Sequence, residues 1–260
     1  MSVPAASAWS ITPEQATAFL GQTPVASVEL LGALRYDRAV RCIGAVRNGA
    51  LVGVLVVGRE DDDTQAARFQ AIDEEALLPL IAACPTDVQR IVVHRPWMLP
   101  ALASAFRLLP EHNSETVFSA VSIAIPPAPT VRLLRAADAP IVAASAAMMS
   151  ATVFLNELEQ GFRPFGLVTG DRLIAHAIAA NATDWTEEVM SVWTAPRRRG
   201  QGLATAVVAT TAADILNRGK TAIYVAAVTN RASQRVAVKV GFQPSYDTAT
   251  YRVVPQRSRL

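Results

Sequence analysis

The spacing of apolar and polar positions predicts alternating strands and helices along the first half of the chain. Two apolar, β-rich runs flank Asn48-Gly49, a dipeptide typical of tight hairpin turns, so strands are expected at 39–46 and 50–57. A short helix is predicted over Pro13–Leu20, with Thr12 as its N-cap. The other elements predicted in this half are a solvated acidic loop at 60–64, a helix at 73–83, a strand at 89–93, a helix at 99–109 and a strand at 116–125.

The second half shows a similar alternation. Gly170-Asp171 separates two strand-like runs, which predicts a second hairpin. The predicted elements are a strand at 131–138, a helix from about 139, hairpin strands at 165–169 and 172–179, a strand at 189–194, a helix from 203 to near 219, a strand at 222–228, a helix at 232–240 and a strand at 246–254. Residues 1–125 are therefore either a degenerate duplicate of the second half or similar to it by chance, and both alternatives stay open.

A proline cluster at 126–129 marks the clearest change in composition along the chain. Such a cluster favours a stiff, extended connector. We therefore expect an α/β chain with mixed (α+β) sheets, in which a smaller N-terminal α/β domain at 1–125 and a C-terminal domain at 131–260 are joined by a proline-rich linker at 126–130.

The stretch around residue 200 combines a strand end, a basic loop and a helix start. The strand is expected to stop at Pro196, which cannot donate a ladder hydrogen bond. Three arginines and two glycines then occupy 197–202, and an Ala-rich helix begins at Leu203. Backbone N–H groups at a helix N-terminus are unpaired and carry partial positive charge, so this loop predicts an anion site, most simply for a phosphate or pyrophosphate.

Two motifs in this half resemble those of the GNAT acyltransferase superfamily. Arg197-x-x-Gly200-x-Gly202 matches the first signature, and the segment from Asn230 to Gly241-Phe242 resembles the second. The resemblance covers roughly residues 130–254. It implies a GNAT fold for the C-terminal domain and acetyl-CoA as cofactor, and the N-terminal domain is then either a degenerate GNAT-like duplicate or similar by chance. Within the superfamily, the chain looks most similar to two-part acetyltransferases that include zwittermicin-type self-resistance enzymes.

The resemblance also implies which residues bind the cofactor. Backbone amides of 198–203 would hold the pyrophosphate, and the strand end at 192–194 would pair with the pantetheine arm and polarise the thioester carbonyl. Several of these residues keep a second interpretation: Arg197 as a solvated charge, Trp193 as core, and Asn230 as a helix cap. The implied cofactor-binding set is Val192, Trp193, Thr194, Arg197, Arg198, Arg199, Gly200, Gln201, Gly202, Leu203, Ala204, Asn230 and Ser233.

Candidates for proton transfer are less well defined. Many members of the superfamily carry a tyrosine acid where this chain has Ala237. Either Ser233, Tyr246, Tyr251 or solvent assists the leaving thiolate, or the thiolate leaves unassisted. His176 alternates with apolar residues on its strand, which favours a core position over a catalytic one.

The base that would take a proton from the amine is expected at the start of the strand that leads to the basic loop. Glu187 and Glu188 are adjacent there, so alternation along a strand would turn one toward the cleft and the other away. The alternative is that both are solvated charges at the strand entry.

Composition narrows the class of protein. Apolar residues make up 51% of the chain and the net charge is +2, which argues for a buried core and against a nucleic-acid partner. The two cysteines have no metal-ligand spacing, so no metal is expected and a reduced, cytoplasmic setting is favoured. No secretory leader is evident, and the uncharged stretch at 139–156 contains too many small and polar residues for a membrane span.

Together these features predict an acetyl-CoA-dependent N-acyltransferase that moves an acetyl group directly to a small-molecule amine in a ternary complex. The alternative is a non-catalytic module that binds acyl-CoA or serves in an assembly. A third hypothesis gives the loop a different phosphate ligand, such as a nucleotide. A homodimer is compatible with the sequence, which does not determine the oligomeric state.

Overall fold

The computed structural model describes residues 6–111, 114–145, 149–180 and 183–254. The strands in these ranges are β1 (Ser7–Ile11), β2 (Arg38–Arg47), β3 (Ala50–Arg59), β4 (Gln65–Ala71), β5 (Arg90–Val93), β6 (Arg107–Pro110), β7 (Glu115–Ala120), β8 (Val131–Leu133), β9 (Arg163–Thr169), β10 (Arg172–Ala180), β11 (Thr186–Thr194), β12 (Thr221–Ala227) and β13 (Gln243–Val254). The α-helices are α1 (Pro13–Leu20), α2 (Val28–Tyr36), α3 (Glu74–Ala82), α4 (Leu99–Ala105), α5 (Ala139–Ala144), α6 (Ala151–Glu159), α7 (Leu203–Asn217) and α8 (Arg231–Val240).

The chain forms two compact units that do not follow the expected boundary. One unit contains 1–115 together with 246–260, and the other contains 116–245. The proline segment at 126–130 therefore lies inside the second unit instead of linking two domains. Its backbone is held there, because the Ala128 N–H donates to Thr210 Oγ1 over 3.0 Å. Composition marks an irregular segment correctly but does not reveal what that segment packs against.

The first unit is built on the strand order β1-β2-β3-β4-β5-β13, with β6 also paired to β13. Its first hairpin has the expected turn, because Asn48 and Gly49 both adopt positive φ, at 55° and 77°. The predicted N-cap is also present: Thr12 Oγ1 accepts from the Gln15 N–H over 3.3 Å. The apolar core includes Leu55, Phe69 and Leu80, which are buried between the sheet and α3.

Two elements of this unit differ from the sequence pattern. The helix predicted at 99–109 ends at Ala105, and residues 107–110 form β6 instead. Strand β4 has no apolar alternation, because Gln65, Arg68 and Gln70 are polar, yet the whole strand is buried. Arg68 is accommodated by carboxylates: it donates to Asp37 over 2.8 Å and to Glu60 over 2.5 Å. A buried polar strand of this kind depends on partners that are distant in sequence.

The second unit has the strand order β7-β12-β11-β10-β9-β8. Strands β9 and β10 form the predicted hairpin around Gly170, whose φ is 60°. Helix α7 packs against β10 and β11. The residues of β10 in the core shared with α7 are Ala175, Ala177 and Ala179, all nearly inaccessible to solvent. Small side chains at alternate strand positions let the helix backbone approach the sheet closely.

The two units share one order of elements. The first runs strand, two helices, three strands, helix, strand and helix from β1 to α4, and the second repeats that order from β8 to α8. The similarity between the two halves of the chain, whose origin the sequence leaves open, is therefore a similarity in the order of their helices and strands. The last strand departs from simple repetition, because β13 pairs with β5 through Ala249–Arg252 and with β6 through Tyr251–Val254, inside the first unit.

This pairing predicts that the first unit needs the C-terminal strand to fold stably. A chain ending at Asp247 should lose the ladder to β5 and β6 and the packing of Tyr251 and Val253 on the first core. We expect its Tm to fall by about 5 °C or more, measured by circular dichroism. A chain ending at Val254 keeps every described residue of the strand and is the matched control. Equal Tm values for the two truncated chains would contradict the assignment of β13 to the first unit.

Candidate functional site

A gap opens between two parallel strands at the centre of the second unit. Strands β11 and β12 are paired in register at three positions, the last of which joins Glu188 to Ile223. Beyond this pair, β11 bulges: Met190 lies opposite Ile178 on β10 and Trp193 lies opposite His176, so β11 carries one residue more than β10. Ser191, inside the bulge, has a φ of 51°. A bulge re-aims the strand that carries it, and this one lies just beyond the last pair in register between β11 and β12.

The basic loop after β11 begins with one turn of 3-10 helix and ends at a glycine N-cap. Gly200 and Gly202 have φ values of 76° and 79°, a region that side chains with a Cβ rarely adopt. A Cβ added at either glycine would meet nothing within 4 Å. These glycines are therefore required by backbone conformation, and the space beside them is open to a ligand.

The start of α7 has the properties of an anion site. Gly202 supplies no capping side chain, and no acidic residue lies in the first turn of this 15-residue helix. Its first N–H groups therefore lack a side-chain acceptor, and the helix dipole adds positive charge. The corresponding helix of the first unit, α3, is different. Asp73 caps it by accepting from the Ala76 N–H over 2.8 Å, and Glu74 and Glu75 follow. Carboxylates at that position would repel a phosphate.

The gap and the loop line a single cleft of about 630 Å³ in the second unit. Its cations are Arg198, Arg199 and Lys239. Thr194 Oγ1 is buried in the wall of the cleft and has no hydrogen-bond partner among the described residues, so it is available to a ligand. The cleft brings together these residues of the expected set: Val192, Trp193, Thr194, Arg198, Arg199, Gly200, Gly202, Leu203, Ala204, Asn230 and Ser233.

Four residues of the expected site do not line the cleft. Arg197 and Gln201 are exposed in the loop, and Gln201 accepts from the Arg198 guanidinium over 3.1 Å. The interpretation of Arg197 as a solvated charge therefore fits the structure better than a direct phosphate contact. The other two residues that lie outside the lining are Glu187 and Glu188.

The two glutamates have different environments. Glu187 is buried and ion-paired with Arg218, and its Oε1 also lies 3.3 Å from Lys220 Nζ. These ion pairs direct the Glu187 carboxylate to Arg218 and Lys220, and the side chain does not line the cleft. Glu188 projects to the opposite face of the strand and is the last residue of β11 in register with β12. Of the pair, Glu188 is therefore the candidate that stays next to the gap.

The second motif supplies a cap, a turn and one wall of the cleft. Asn230 Oδ1 accepts from the Ser233 N–H over 3.1 Å and caps α8 while it lines the cleft, so both interpretations of this residue hold. Gly241 has a φ of 119°, and a Cβ there would lie 2.8 Å from the Ala124 nitrogen. The glycine of the Gly-Phe pair is thus required by its backbone conformation and by its close approach to the backbone at Ala124.

The structure adds residues to the cleft that are not in the expected cofactor-binding set. They are Thr205, Tyr224, Ala232, Val236 and Lys239. Tyr224 lies on β12 directly after the last pair with β11, and its hydroxyl is 2.7 Å from Ser233 Oγ. Its position in an apolar strand predicts a core residue, and its ring is indeed buried. Two tyrosines named from the sequence as candidate acids, Tyr246 and Tyr251, belong instead to the first unit.

His176 is a core residue, as its strand pattern predicts, but it also supports the cleft. Its ring is 3% exposed and stacks on Trp193 with 5.7 Å between ring centroids. Trp193 in turn lines the cleft. Burial lowers the pKa of His176 to about 4, so the imidazole is neutral at physiological pH.

This burial predicts a pH-dependent stability. Because the folded pKa of His176 lies below the unfolded value of about 6.5, the unfolded chain binds the proton more readily. The contribution of neutral His176 to the free energy of unfolding is fully present above about pH 6.5 and is lost as the pH falls toward 4. Replacing His176 by Phe should flatten the fall in unfolding free energy between pH 7 and pH 5 by up to about 1.4 kcal/mol per pH unit, measured by urea titration. Identical slopes for the two proteins would show that His176 titrates normally.

Comparison with known proteins agrees with this geometry. Residues 165–253 match the family model described as FR47-like protein, and this range includes the loop and the second motif. No curated protein sequence matches the chain.

Several solved structures share the fold. An acetyltransferase of the GNAT family from Colwellia psychrerythraea is 17% identical, with a TM-score of 0.60 and coverage of 95% of this chain and 100% of that one. A tandem GNAT protein from the clavulanic acid biosynthesis pathway is 14% identical, with a TM-score of 0.58 and coverage of 97% and 100%. A GCN5-related N-acetyltransferase from Sphaerobacter thermophilus is 12% identical, with a TM-score of 0.60 and coverage of 96% of each chain. At these identities the likeness establishes the fold.

Neither a helix suited to cross a bilayer nor a metal-binding cluster occurs among the described residues. No helix within 6–111, 114–145, 149–180 or 183–254 has the length and hydropathy to cross a bilayer. Within the same ranges, no group of three or more His, Cys, Asp or Glu side chains is arranged to hold a metal ion.

Proposed function

We propose that the protein is an acetyltransferase of the GNAT superfamily and transfers the acetyl group of acetyl-CoA to an amine, a proposal supported by the match of residues 165–253 to the FR47-like model. The observation that carries the proposal is the cleft, in which an anion-binding helix start lies beside a gap between two strands. The pyrophosphate of acetyl-CoA suits the helix start, and its amide-containing arm suits the gap between the strands.

The polar groups along the cleft are chemically suited to the successive groups of acetyl-CoA and follow the same order. Backbone amides at the start of α7 would hold the pyrophosphate, with Arg198 and Arg199 beside it. The pantetheine amides would pair with β11 at 192–194, after its register with β12 has ended. An N–H at this strand end would polarise the thioester carbonyl, since a preorganised donor stabilises the developing oxyanion.

Acetyl-CoA binding is the first expectation to test. At a concentration about 100 times its Kd, the cofactor should add about 2.7 kcal/mol to the free energy of unfolding. Gly202→Trp should abolish the resulting rise in Tm, because it fills the open space beside the helix start. Gly170→Trp is the matched control: Gly170 also has positive φ and open space, but it lies in the β9–β10 turn.

Two outcomes of this thermal-shift series would contradict cofactor binding at the loop. One is no shift of the unmodified protein at millimolar acetyl-CoA. The other is an equal shift for Gly202→Trp and the unmodified protein. A shift produced by ATP and not by CoA would favour the third hypothesis, a nucleotide ligand.

We further propose Glu188 as the group that accepts the amine proton, directly or through water. Glu188→Gln should reduce turnover at neutral pH by about 100-fold with little change in acetyl-CoA affinity, the range expected for loss of a general base. Glu187→Gln is the comparison, because it should lower Tm by weakening the pairing with Arg218 and Lys220. Thiol release from acetyl-CoA across a panel of small primary amines measures the first effect, and thermal unfolding measures the second. Unchanged turnover in Glu188→Gln would exclude this role.

The acceptor proposed is a small-molecule amine that meets acetyl-CoA in a ternary complex, without a covalent acyl-enzyme. A non-catalytic acyl-CoA-binding module is the second candidate, favoured by one observation: Ala237 presents no hydroxyl where many family members have one. The unmodified protein separates the two candidates. Tight CoA binding with no thiol release for any amine would favour the module.

A further inference from the structure

The cleft contains two hydroxyl groups near the position where a catalytic tyrosine is missing. Ala237 is fully buried in α8 and presents no polar atom. Ser233, one turn earlier on the same helix, lines the cleft. Its Oγ is 2.7 Å from the phenol oxygen of Tyr224, which lines the cleft from the strand side.

Tyr224 is held rigidly in this position. Its side chain is 2% exposed, and its ring packs against Phe242 with 5.6 Å between ring centroids. The backbone is fixed as well, because the preceding residue, Ile223, forms the last pair in register between β12 and β11. The phenol oxygen therefore reaches the gap from a ring that cannot turn freely, which is the condition for a preorganised hydrogen bond.

We propose that Tyr224 positions Ser233 for catalysis: its phenol donates to Ser233 Oγ and directs the serine proton into the cleft, toward the leaving sulfur of the cofactor. Tyr224 is thus a positioning residue that acts through Ser233. This inference rests on the acetyl transfer proposed above and adds the group that assists departure of the thiolate.

The bond changes in this step balance with solvent and the proposed base. The amine nitrogen forms a bond to the thioester carbon and loses a proton to Glu188, directly or through water, while the carbon–sulfur bond breaks with its electron pair on sulfur. Ser233 donates a hydrogen bond to the developing thiolate, which then takes its proton from solvent. Burial raises the pKa of Tyr224, an effect that its hydrogen bond to Ser233 opposes and the nearby Glu188 reinforces. The phenol therefore stays protonated and remains a donor at neutral pH.

The orientation is supported by the backbone around Ser233. Its N–H is already taken by the Asn230 cap, so the cap fixes the first turn of α8 and with it the serine Cβ. A serine hydroxyl has one proton and two acceptor lone pairs. When a tyrosine donor occupies one lone pair, the serine proton must point elsewhere, and the cleft is the open direction.

The test compares Tyr224→Phe, Ser233→Ala and the double variant. Each single change should lower the single-turnover rate of acetyl transfer at saturating acetyl-CoA by about tenfold, the effect of losing about 1.4 kcal/mol of transition-state stabilisation. The double variant should be no slower than Ser233→Ala, because Tyr224 acts only through the serine. The Kd for CoA should stay within about twofold. The acceptor is the most active amine of the panel, or water if none is active.

Controls separate positioning from structural damage. Phe keeps the packing of the ring against Phe242, so Tm should change little in Tyr224→Phe. Tyr36→Phe, at a half-exposed position in the first unit, is the matched tyrosine control and should retain the unmodified rate.

Two results would overturn the inference while leaving acetyl transfer intact: an unchanged rate in Tyr224→Phe, or additive losses in the double variant. Absence of thiol release from the unmodified protein, despite CoA binding, would instead overturn acetyl transfer itself and the role of Tyr224 with it.

Discussion

The early end of pairing between β11 and β12 is the constraint on which the rest of the second unit depends. Two parallel strands normally satisfy each other's backbone groups along their shared length. Here the register ends at Glu188 and Ile223, and the bulge at Ser191 follows directly. Polar backbone groups beyond that point need a partner, and a ligand with amide groups is chemically suited to provide one. The opening thus creates both an unsatisfied edge and the space in which to satisfy it.

The surrounding elements keep this opening in place. The alanines of β10 allow α7 to lie close to the sheet, which brings its N-terminus to the end of β11. The positive φ values of Gly200 and Gly202 let the chain turn from the end of β11 into α7, and no side chain caps that helix. On the other wall, Asn230 fixes the start of α8, and Tyr224 fills the region where the strands part. Each of these features is local, but together they produce one cleft with an anion site at its end.

The first unit shows what the same topology becomes when the requirement for an anion site is absent. Its two parallel strands, β4 and β5, are likewise paired at three positions only. The helix that follows β4 begins with Asp73 as a cap, and Arg47 donates to that carboxylate over 2.6 Å. The cap occupies one of the unpaired N–H groups of the first turn, and the carboxylates at 73–75 would repel a phosphate. Shared topology therefore does not imply a shared function, which depends on the residues at one helix terminus.

Much of this could be predicted from the sequence. The hairpins at Asn48-Gly49 and Gly170, the helix caps and the loop before α7 are encoded by neighbouring residues, so local reading found them. Features that depend on distant partners were not accessible in this way. Arg68 is tolerable in a buried strand only because Asp37 and Glu60 meet it. The placement of β13 in the first unit also depends on distant partners, since its ladder joins residues more than 140 positions apart in the sequence.

The candidate site divides in a similar manner. Glycines and arginines of the loop carry a local signal, but the pairing of Tyr224 with Ser233 joins a strand to a helix and has no motif. The distinction between Glu187 and Glu188 also needed the structure, because alternation predicts that the two carboxylates differ but not which one meets Arg218. Sequence thus locates the proposed cofactor loop, and tertiary contacts distinguish the residues around it.

A crystal structure of the protein with acetyl-CoA is the decisive experiment. We expect the pyrophosphate at the backbone amides of 198–203 and the pantetheine arm along 192–194, with the thioester sulfur within hydrogen-bonding reach of Ser233 Oγ. A cofactor bound elsewhere, or a cleft closed by renewed pairing of β11 with β12, would show that the opening is not the cofactor site.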